Sequence, residues 1–265
     1  MLNYIILAAV SLVISSIGFR YYVHFFSVGY GFGISGLSLA MFILYFTGLS
    51  PVTIIISALL FVYGLRLGGY LLYREIKMPS YGKHVSGDIK DGSKVSVFAK
   101  ICIWLSCAIL YLLMTSPLLF RLEMGKALGF GGCAIAGLVL MVLGILMEVT
   151  ADKQKSDAKK KNPGTFVKTG LYRFVRCPNY LGELLLWTGV FVSGIPAYHG
   201  WQWIAAISGL VLIYYVMFSG ARRLELRQIK TYGSDPEFQK YSKSVPIIVP
   251  FIPLYSVVKF KFLVA

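Results

Sequence analysis

The segment that decides the fold reads Gly170-Leu-Tyr-Arg-Phe-Val-Arg-Cys-Pro-Asn-Tyr-Leu-Gly-Glu183, and it runs directly into the apolar stretch from Leu184 to Val192. Basic, aromatic and acidic side chains therefore stand at the start of a stretch that is apolar enough to enter a membrane. Ionisable groups at such a position are costly, and they are retained where a charged ligand or partner uses them. The segment thus predicts a functional site at a membrane boundary.

The composition places this segment in a membrane protein. The 265 residues are 57% hydrophobic and only 14% charged, with a mean hydropathy of +0.71, whereas a soluble domain carries about 25% charged residues. We therefore predict an all-α, polytopic integral membrane protein that forms a single domain over residues 1–265. Because residues 1–19 lack a basic leader and a small-residue cleavage site, they are interpreted as a first span rather than a removable signal peptide.

Seven transmembrane helices follow from length, because about 20 apolar residues cross the hydrocarbon core. The predicted spans are 2–24, 31–48, 51–73, 97–119, 127–149, 179–197 and 201–220. Residues 76–95 and 153–169 are expected to be linkers. Lys and Arg are concentrated in residues 74–100, 152–176 and 222–261, which hold six, eight and eight of them. By the positive-inside rule these segments are cytoplasmic, so the N terminus is expected outside and the C terminus in the cytoplasm.

The net charge of +15 has the same topological origin, and basic cytoplasmic loops meet anionic lipids. We therefore expect membrane lipids as partners, and neither nucleic acid nor an obligate protein partner. The triplet Lys159 to Lys161 is open to two interpretations, a contact with lipid headgroups or a contact with a cofactor phosphate. The four cysteines and three histidines are scattered, so no metal site is expected. No glycine-rich nucleotide-binding motif follows a predicted strand, so any nucleotide must be held by helices and loops.

Residues 148–183 resemble the C-terminal signature of the steroid 5-alpha-reductase superfamily, most closely its little-characterised branch of bacterial-type membrane reductases. The matching stretches are Glu148-Val-Thr-Ala-Asp-Lys-Gln-Lys155, Asn162-Pro-Gly-Thr-Phe166 and the opening segment, Gly170–Glu183. The similarity continues to the Pro246–Pro253 ending. The resemblance implies a seven-helix reductase with NADPH in its cytoplasmic half. It implies that residues 121–265 bind the cofactor and that residues 1–120 form the substrate side.

The resemblance also implies a set of cofactor residues. Asn179 and Glu183 are four positions apart, so they share one helical face, and Pro178 suits the first turn of a helix. A helix N terminus beside two arginines is suited to phosphate binding. An alternative for Glu183 is an ion pair with Arg222 or Arg223. The predicted cofactor-binding residues are Asp152, Tyr172, Arg173, Arg176, Asn179, Glu183, Arg222 and Arg223.

A second motif, Tyr63-Gly-Leu-Arg66, lies on the third predicted span. Positions 63, 66, 70, 73 and 74 form one helical stripe, which is expected to face the bundle interior. The motif resembles the family's Tyr-x-x-Arg segment, which implies that Tyr63 is the catalytic donor to a substrate carbonyl. A packing role for Tyr63 is the alternative. Arg66 is assigned to a cofactor phosphate or to a buried acidic partner.

Two departures from the family pattern restrict the prediction. Residues 1–62 contain no Asp or Glu, so the glutamate that partners the tyrosine in steroid-reducing members is missing, and a 3-ketosteroid substrate is not supported. His24 is a candidate substitute, although a lone histidine is more often structural. Cys177 stands where the family has a histidine.

The predicted reaction is NADPH-dependent reduction of a carbon–carbon double bond conjugated to a carbonyl in a lipophilic substrate that enters from the membrane. The active site is expected to face the cytoplasm. The alternative is an S-adenosylmethionine-dependent methyltransferase of the isoprenylcysteine or phospholipid type, because those enzymes share much of the Arg-His-Pro-x-Tyr-x-Gly signature. A non-enzymatic lipid-binding protein leaves the polar residues inside the spans without a role.

Overall fold

The computed structural model describes residues 1–77, 92 and 95–264. This part of the chain is all α-helical, with 78% helix and no strand. Its helices are α1 (Leu2–Ser15), α2 (Val28–Leu44), α3 (Pro51–Lys77), α4 (Val97–Glu123), α5 (Gly132–Lys161), α6 (Pro178–Gly194), α7 (Trp201–Tyr232) and α8 (Pro236–Ser244). Short 3₁₀ turns connect several of them.

Together with the 3₁₀ turns that adjoin them, seven of the described helices are long and apolar enough to cross a membrane, and the first two such spans are Leu2–Phe19 and Tyr22–Leu44. The predicted number of spans is therefore confirmed. The first boundary differs from the prediction of a single span over 2–24. Helix α1 ends at Ser15, and 3₁₀ turns follow at Ser16–Phe19 and Tyr22–Phe25. The hydroxyls of Ser15 and Ser16 each donate to a carbonyl in the preceding turn at 2.7 Å, a contact that competes with regular helix geometry.

Helices α5 and α7 extend beyond the predicted spans 127–149 and 201–220, to Lys161 and Tyr232. Hydropathy locates the part of a helix that lies in hydrocarbon, whereas lysine and glutamate support helix continuation in water. Residues 153–161, expected to belong to a linker, are therefore helical. Most of the other expected linker, 76–95, lies outside the described residues.

The chain divides into two compact units, and unit 1 comprises Met1–Leu138 with Val190–Leu210. In this unit α2 and α3 approach closely at Gly31 and Gly64, where an added Cβ would overlap the backbone of the facing helix. The Ser35 hydroxyl donates to the Phe61 carbonyl at 2.7 Å, and that of Ser38 donates to Ser57 at 2.8 Å. Small residues with interhelical hydrogen bonds are the usual means of holding membrane helices together.

Unit 2 comprises Val139–Gly189 with Val211–Ala265. Here α5 and α6 touch at two glycines, since a Cβ on Gly144 would lie 2.5 Å from the Gly182 carbonyl oxygen. The chain after α8 packs against α6 and α7, and it contributes Ile247, Ile248 and Val257 to a buried apolar cluster with Leu184. Unit 2 therefore contains the opening segment together with the carboxyl-terminal part of the chain.

Candidate functional site

The opening segment forms a short 3₁₀ turn, Gly170–Arg173, and then enters α6 at Pro178. Gly170 has φ +64°, a conformation that glycine adopts at little cost. The Gln154 side chain of α5 lies against it and accepts the Leu171 N–H at 2.8 Å. The segment is thus positioned by the extended part of α5, which the sequence pattern had assigned to a linker.

Two buried carboxylates flank the contact between α5 and α6. Glu148 on α5 is 3% exposed and Glu183 on α6 is 6% exposed. A Cβ on Gly182 would lie 3.1 Å from the Cβ of Glu148, so this glycine permits the approach of the two helices. The indole N–H of Trp187 donates to Glu183 at 3.1 Å. The structure therefore brings an acidic, largely buried surface to the first turns of α6.

Other predicted cofactor residues surround this contact within unit 2. Asp152 follows Glu148 by one turn and is half-buried, as is Asn179 in the first turn of α6. Tyr172 is buried and donates to the Ala151 carbonyl at 3.3 Å. These side chains share the end of unit 2 at which α6 begins.

Arg176 is held by the protein itself. Its Nη2 donates to Oε1 of Glu225 at 2.9 Å and also to the Tyr255 carbonyl, and the Arg176 and Glu225 side chains are 1% and 3% exposed. Arg222 similarly donates to the carbonyls of Val258 and Leu263. Both guanidinium groups thus bind the chain that follows α8.

The remaining arginines of the predicted set, Arg173 and Arg223, are exposed. In the lysine triplet, the Lys159 ammonium donates to the Thr165 carbonyl at 2.6 Å and to the Tyr232 hydroxyl at 2.9 Å. Lys159 therefore fixes the turn after α5, whereas Lys160 and Lys161 are exposed. The triplet has two different environments.

Burial changes the acidity of two groups near the start of α6. It raises the pKa of the Cys177 thiol to about 12, and it raises the pKa of the Tyr241 phenol well above its ordinary value. Tyr241 donates to the Tyr172 carbonyl at 2.7 Å. Both groups remain protonated at neutral pH, so Cys177 has no nucleophilic character here.

Unit 1 holds the second predicted site. Tyr63 on α3 is 1% exposed, and its hydroxyl lies 3.3 Å from that of Tyr30 on α2. Arg66, one turn later, is half-buried. Tyr73, by contrast, is 56% exposed, so the buried stripe predicted along α3 does not continue to it.

His24 has a carboxylate partner in the same unit. Its Nε2 lies 2.8 Å from Oε2 of Glu75, with side-chain exposures of 7% and 12%. This contact joins the turn before α2 to the end of α3, and the assignment of His24 to substrate or cofactor stays a prediction. Within the described residues, no three His, Cys, Asp or Glu side chains are grouped as a metal site requires.

Comparison with known proteins identifies the family. Residues 24–245 match the family described as a protein of unknown function (DUF1295). The chain belongs to this family. It is also similar to two curated proteins, both named steroid 5-alpha-reductase DET2. The Gossypium hirsutum protein is 30% identical over 123 residues, which are 44% of this chain and 42% of the relative. The Arabidopsis thaliana protein is 28% identical over 120 residues, which are 44% and 41%.

These similarities confirm the resemblance of this DUF1295 protein to the steroid 5-alpha-reductase superfamily. The chain matches less than half the length of either curated relative. No solved structure matches it.

Sequence reasoning did not identify Tyr30 or Glu75 of this DUF1295 protein as partners. Tyr30 is 33 positions from Tyr63, and one tyrosine among 18 carries no signal of its own. Glu75 did carry a signal, because it is the first acidic residue of the chain. Because no Asp or Glu precedes Glu75, a buried His24 has no earlier carboxylate with which to pair.

Proposed function

We propose that this protein is a membrane reductase that uses NADPH to reduce a carbon–carbon double bond conjugated to a carbonyl in a lipophilic substrate. The observation that supports it most is the pair of buried carboxylates, Glu148 and Glu183, at the α5–α6 contact. Carboxylates inside apolar helices are costly unless they serve a ligand or a buried partner. The similarity to proteins named steroid 5-alpha-reductase favours a reductase over the methyltransferase alternative.

Unit 2 offers suitable chemistry for a phosphorylated dinucleotide. In the proposal the carboxylates of Asp152 and Glu183 accept hydrogen bonds from its polar groups. The Asn179 amide donates or accepts them, and Tyr172 shapes the wall beside them. Exposed Arg173 and Arg223 are available for phosphate oxygens, which guanidinium groups bind in a bidentate manner. Arg176 and Arg222 support the site indirectly, since they hold the chain after α8.

Bound NADPH would supply a hydride to the β carbon of the unsaturated carbonyl compound, and water would supply the proton that the α carbon takes up. Negative charge then develops on the carbonyl oxygen, and a phenol hydroxyl that donates to that oxygen stabilises it. Tyr63 is the proposed donor. Tyr30 is proposed as its partner, because its hydroxyl lies 3.3 Å away and stands in for the glutamate that residues 1–62 lack.

The proposed topology follows from the Lys and Arg distribution. The N terminus is outside, and the C terminus and the cofactor residues are on the cytoplasmic side. Residues 1–120 carry the substrate side and residues 121–265 the cofactor side. A lipophilic substrate enters laterally from the bilayer, where it is most concentrated.

The deciding experiment compares cofactors on the purified, detergent-solubilised protein. NADPH is expected to raise the melting temperature, because a ligand that binds only the folded state stabilises it. S-adenosylmethionine is expected to have no effect, and NADH a smaller effect than NADPH. Stabilisation by S-adenosylmethionine alone would establish the methyltransferase instead, and no response to any of the three would refute a nucleotide-dependent activity.

A further inference from the structure

A cavity of about 300 Å³ lies in unit 1 at the end of α4. The end of α4, the start of α5 and the turn after α6 line this cavity, which is partly open. Its lining includes Arg121, Leu128, Gly129, Gly131, Ala134 and Pro196. None of these residues has a role in the proposed reduction.

Arg121 gives the cavity a buried positive charge. Its side chain is 1% exposed, and its Nη atoms donate to the Ser193 carbonyl at 2.8 Å and to the Gly129 carbonyl at 2.6 Å. A third bond, at 3.2 Å, reaches the Leu128 carbonyl. The Nε–H of Arg121 is buried without an acceptor among the described residues. Carbonyl oxygens solvate the guanidinium group, but they do not neutralise its charge.

The nearest carboxylate in sequence does not provide the counter-charge. Glu123 is exposed, and its Oε1 accepts hydrogen bonds from the hydroxyls of Tyr4 at 2.6 Å and Tyr45 at 3.3 Å. Within the described part of the chain Arg121 forms no ion pair. A buried cation without a counter-charge is costly, so the site is suited to an anion.

The start of α5 adds a second source of positive potential. The helix begins at Gly132 and continues for 30 residues, and the first amide groups of a helix have no acceptor within it. The preceding Gly129-Phe-Gly-Gly132 turn is open, because a Cβ at any of its three glycines would meet nothing within 4 Å. A glycine-rich turn before a helix N terminus is a common arrangement for binding phosphate.

From the buried guanidinium, the unpartnered Nε–H, the glycine-rich turn and the cavity beside them, we infer that this is a binding site for a phosphate group. Tyr198, Trp201 and Trp203 follow Pro196 closely in sequence, and they make edge-to-face contacts with one another or with Phe120. Such aromatic residues concentrate at the level of lipid headgroups. The phosphate belongs to a phospholipid headgroup or to free inorganic phosphate, and both carry the chemistry that the site recognises.

The test measures melting temperature in detergent with inorganic phosphate and, separately, with short-chain phosphatidylglycerol. Native mass spectrometry of the same preparations identifies any retained phospholipid. Arg121→Lys keeps the positive charge but removes the planar set of guanidinium N–H donors. Ala134→Leu and Ala127→Trp narrow the cavity from its inner wall and from its rim, and both leave Arg121 intact. Lys126→Gln removes an exposed cation from the 3₁₀ turn Gly125–Ala127, which also contains Ala127. It is the matched control.

Saturable stabilisation by phosphatidylglycerol is expected, with affinity weakened about tenfold or more in Arg121→Lys and in at least one cavity variant, and unchanged in Lys126→Gln. The same pattern with inorganic phosphate alone would support the site and assign it to the free ion. The inference is overturned if neither compound stabilises the wild type. The comparison uses only those cavity variants whose melting temperature without ligand equals that of the wild type. The inference is also overturned if Lys126→Gln weakens binding as much as these variants do.

Discussion

Arg176 and Glu225 form a buried ion pair, with Nη2 of Arg176 at 2.9 Å from Oε1 of Glu225. The other carboxylate oxygen, Oε2, accepts the backbone N–H of Val257 at 2.9 Å. The pair therefore joins three parts of unit 2: the segment before α6, the helix α7 and the chain after α8. The backbone N–H groups of Arg176 and Cys177 donate to Pro246 and Ile247, which strengthens the same junction.

Removal of one partner of this pair is expected to destabilise the protein strongly. Glu225→Ala leaves a buried guanidinium without its counter-charge, and such losses cost about 3–5 kcal/mol. The exposed pair Lys168–Glu237 is the matched control, and Glu237→Ala is expected to cost less than about 1 kcal/mol. Thermal melting in detergent measures both. Similar melting temperatures for the two variants would contradict the assigned role of the buried pair.

The Cys177 thiol is expected to react slowly in the folded protein. Burial holds its pKa at about 12, above its ordinary value of 9.0, so the folded state retains the proton where the unfolded chain has lost it. Stability due to this group is therefore constant below about pH 9 and falls as the pH rises from there toward 12. Alkylation of Cys177 at pH 8, followed by peptide mass spectrometry, should be slow in the native protein and fast after denaturation. Fast native labelling would show that the thiol is accessible.

Helix contact at glycines predicts a clear contrast along α3. In Gly64→Ala the new methyl group would overlap the Gly31 carbonyl and the Ser35 side chain, whereas in Gly69→Ala it meets nothing within 4 Å. We expect Gly64→Ala to destabilise by about 1–3 kcal/mol, as overpacked cores do. Gly69→Ala is expected to be neutral or to stabilise by up to about 1 kcal/mol, because alanine favours helix. Equal melting temperatures would mean that α2 and α3 are not in close contact there.

The seven membrane helices could be predicted from sequence because the length of an apolar run directly reports the thickness of the hydrocarbon core. The ends of α5 and α7 could not be predicted in this way, since hydropathy does not distinguish a helix from a loop in water. The roles of individual arginines were also beyond sequence reasoning. Arg176 stands 49 positions from Glu225, and Arg222 reaches the carbonyl of Leu263, 41 positions away. Only packing determines whether a guanidinium faces a ligand or another part of the chain.

The same limit applies to the opening segment. Asn179 and Glu183 share a helical face as the spacing predicted, because four residues are close to one helical turn. The approach of Glu148 to the start of α6 depends on Gly182, and the sequence alone does not indicate which glycine of α6 meets α5. Tertiary contacts therefore supplied the acidic surface that the pattern of residues only suggested.

Glu183→Gln tests the proposed cofactor site. The substitution keeps the size of the side chain and its acceptor for Trp187, so the fold is expected to persist. The affinity for NADPH is expected to fall by about tenfold, which corresponds to about 1.4 kcal/mol. Glu237→Gln, at an exposed position, is the control and should bind NADPH as the wild type does. If Glu183→Gln binds NADPH normally, the carboxylate has a purely structural role.

The two phenols of unit 1 make the sharpest prediction for the proposed reaction. Tyr63→Phe should lower kcat on a conjugated enone by about 10²–10³-fold, as loss of an oxyanion donor does, while NADPH binding in the melting assay is unchanged. Tyr30→Phe should have a smaller effect, and the double variant should lose little beyond Tyr63→Phe alone, because Tyr30 acts through the hydroxyl 3.3 Å away. Tyr73→Phe, at an exposed position of the same helix, should retain full turnover. Full additivity in the double variant would show that Tyr30 acts independently of Tyr63. Unchanged turnover in Tyr63→Phe would exclude Tyr63 as the donor.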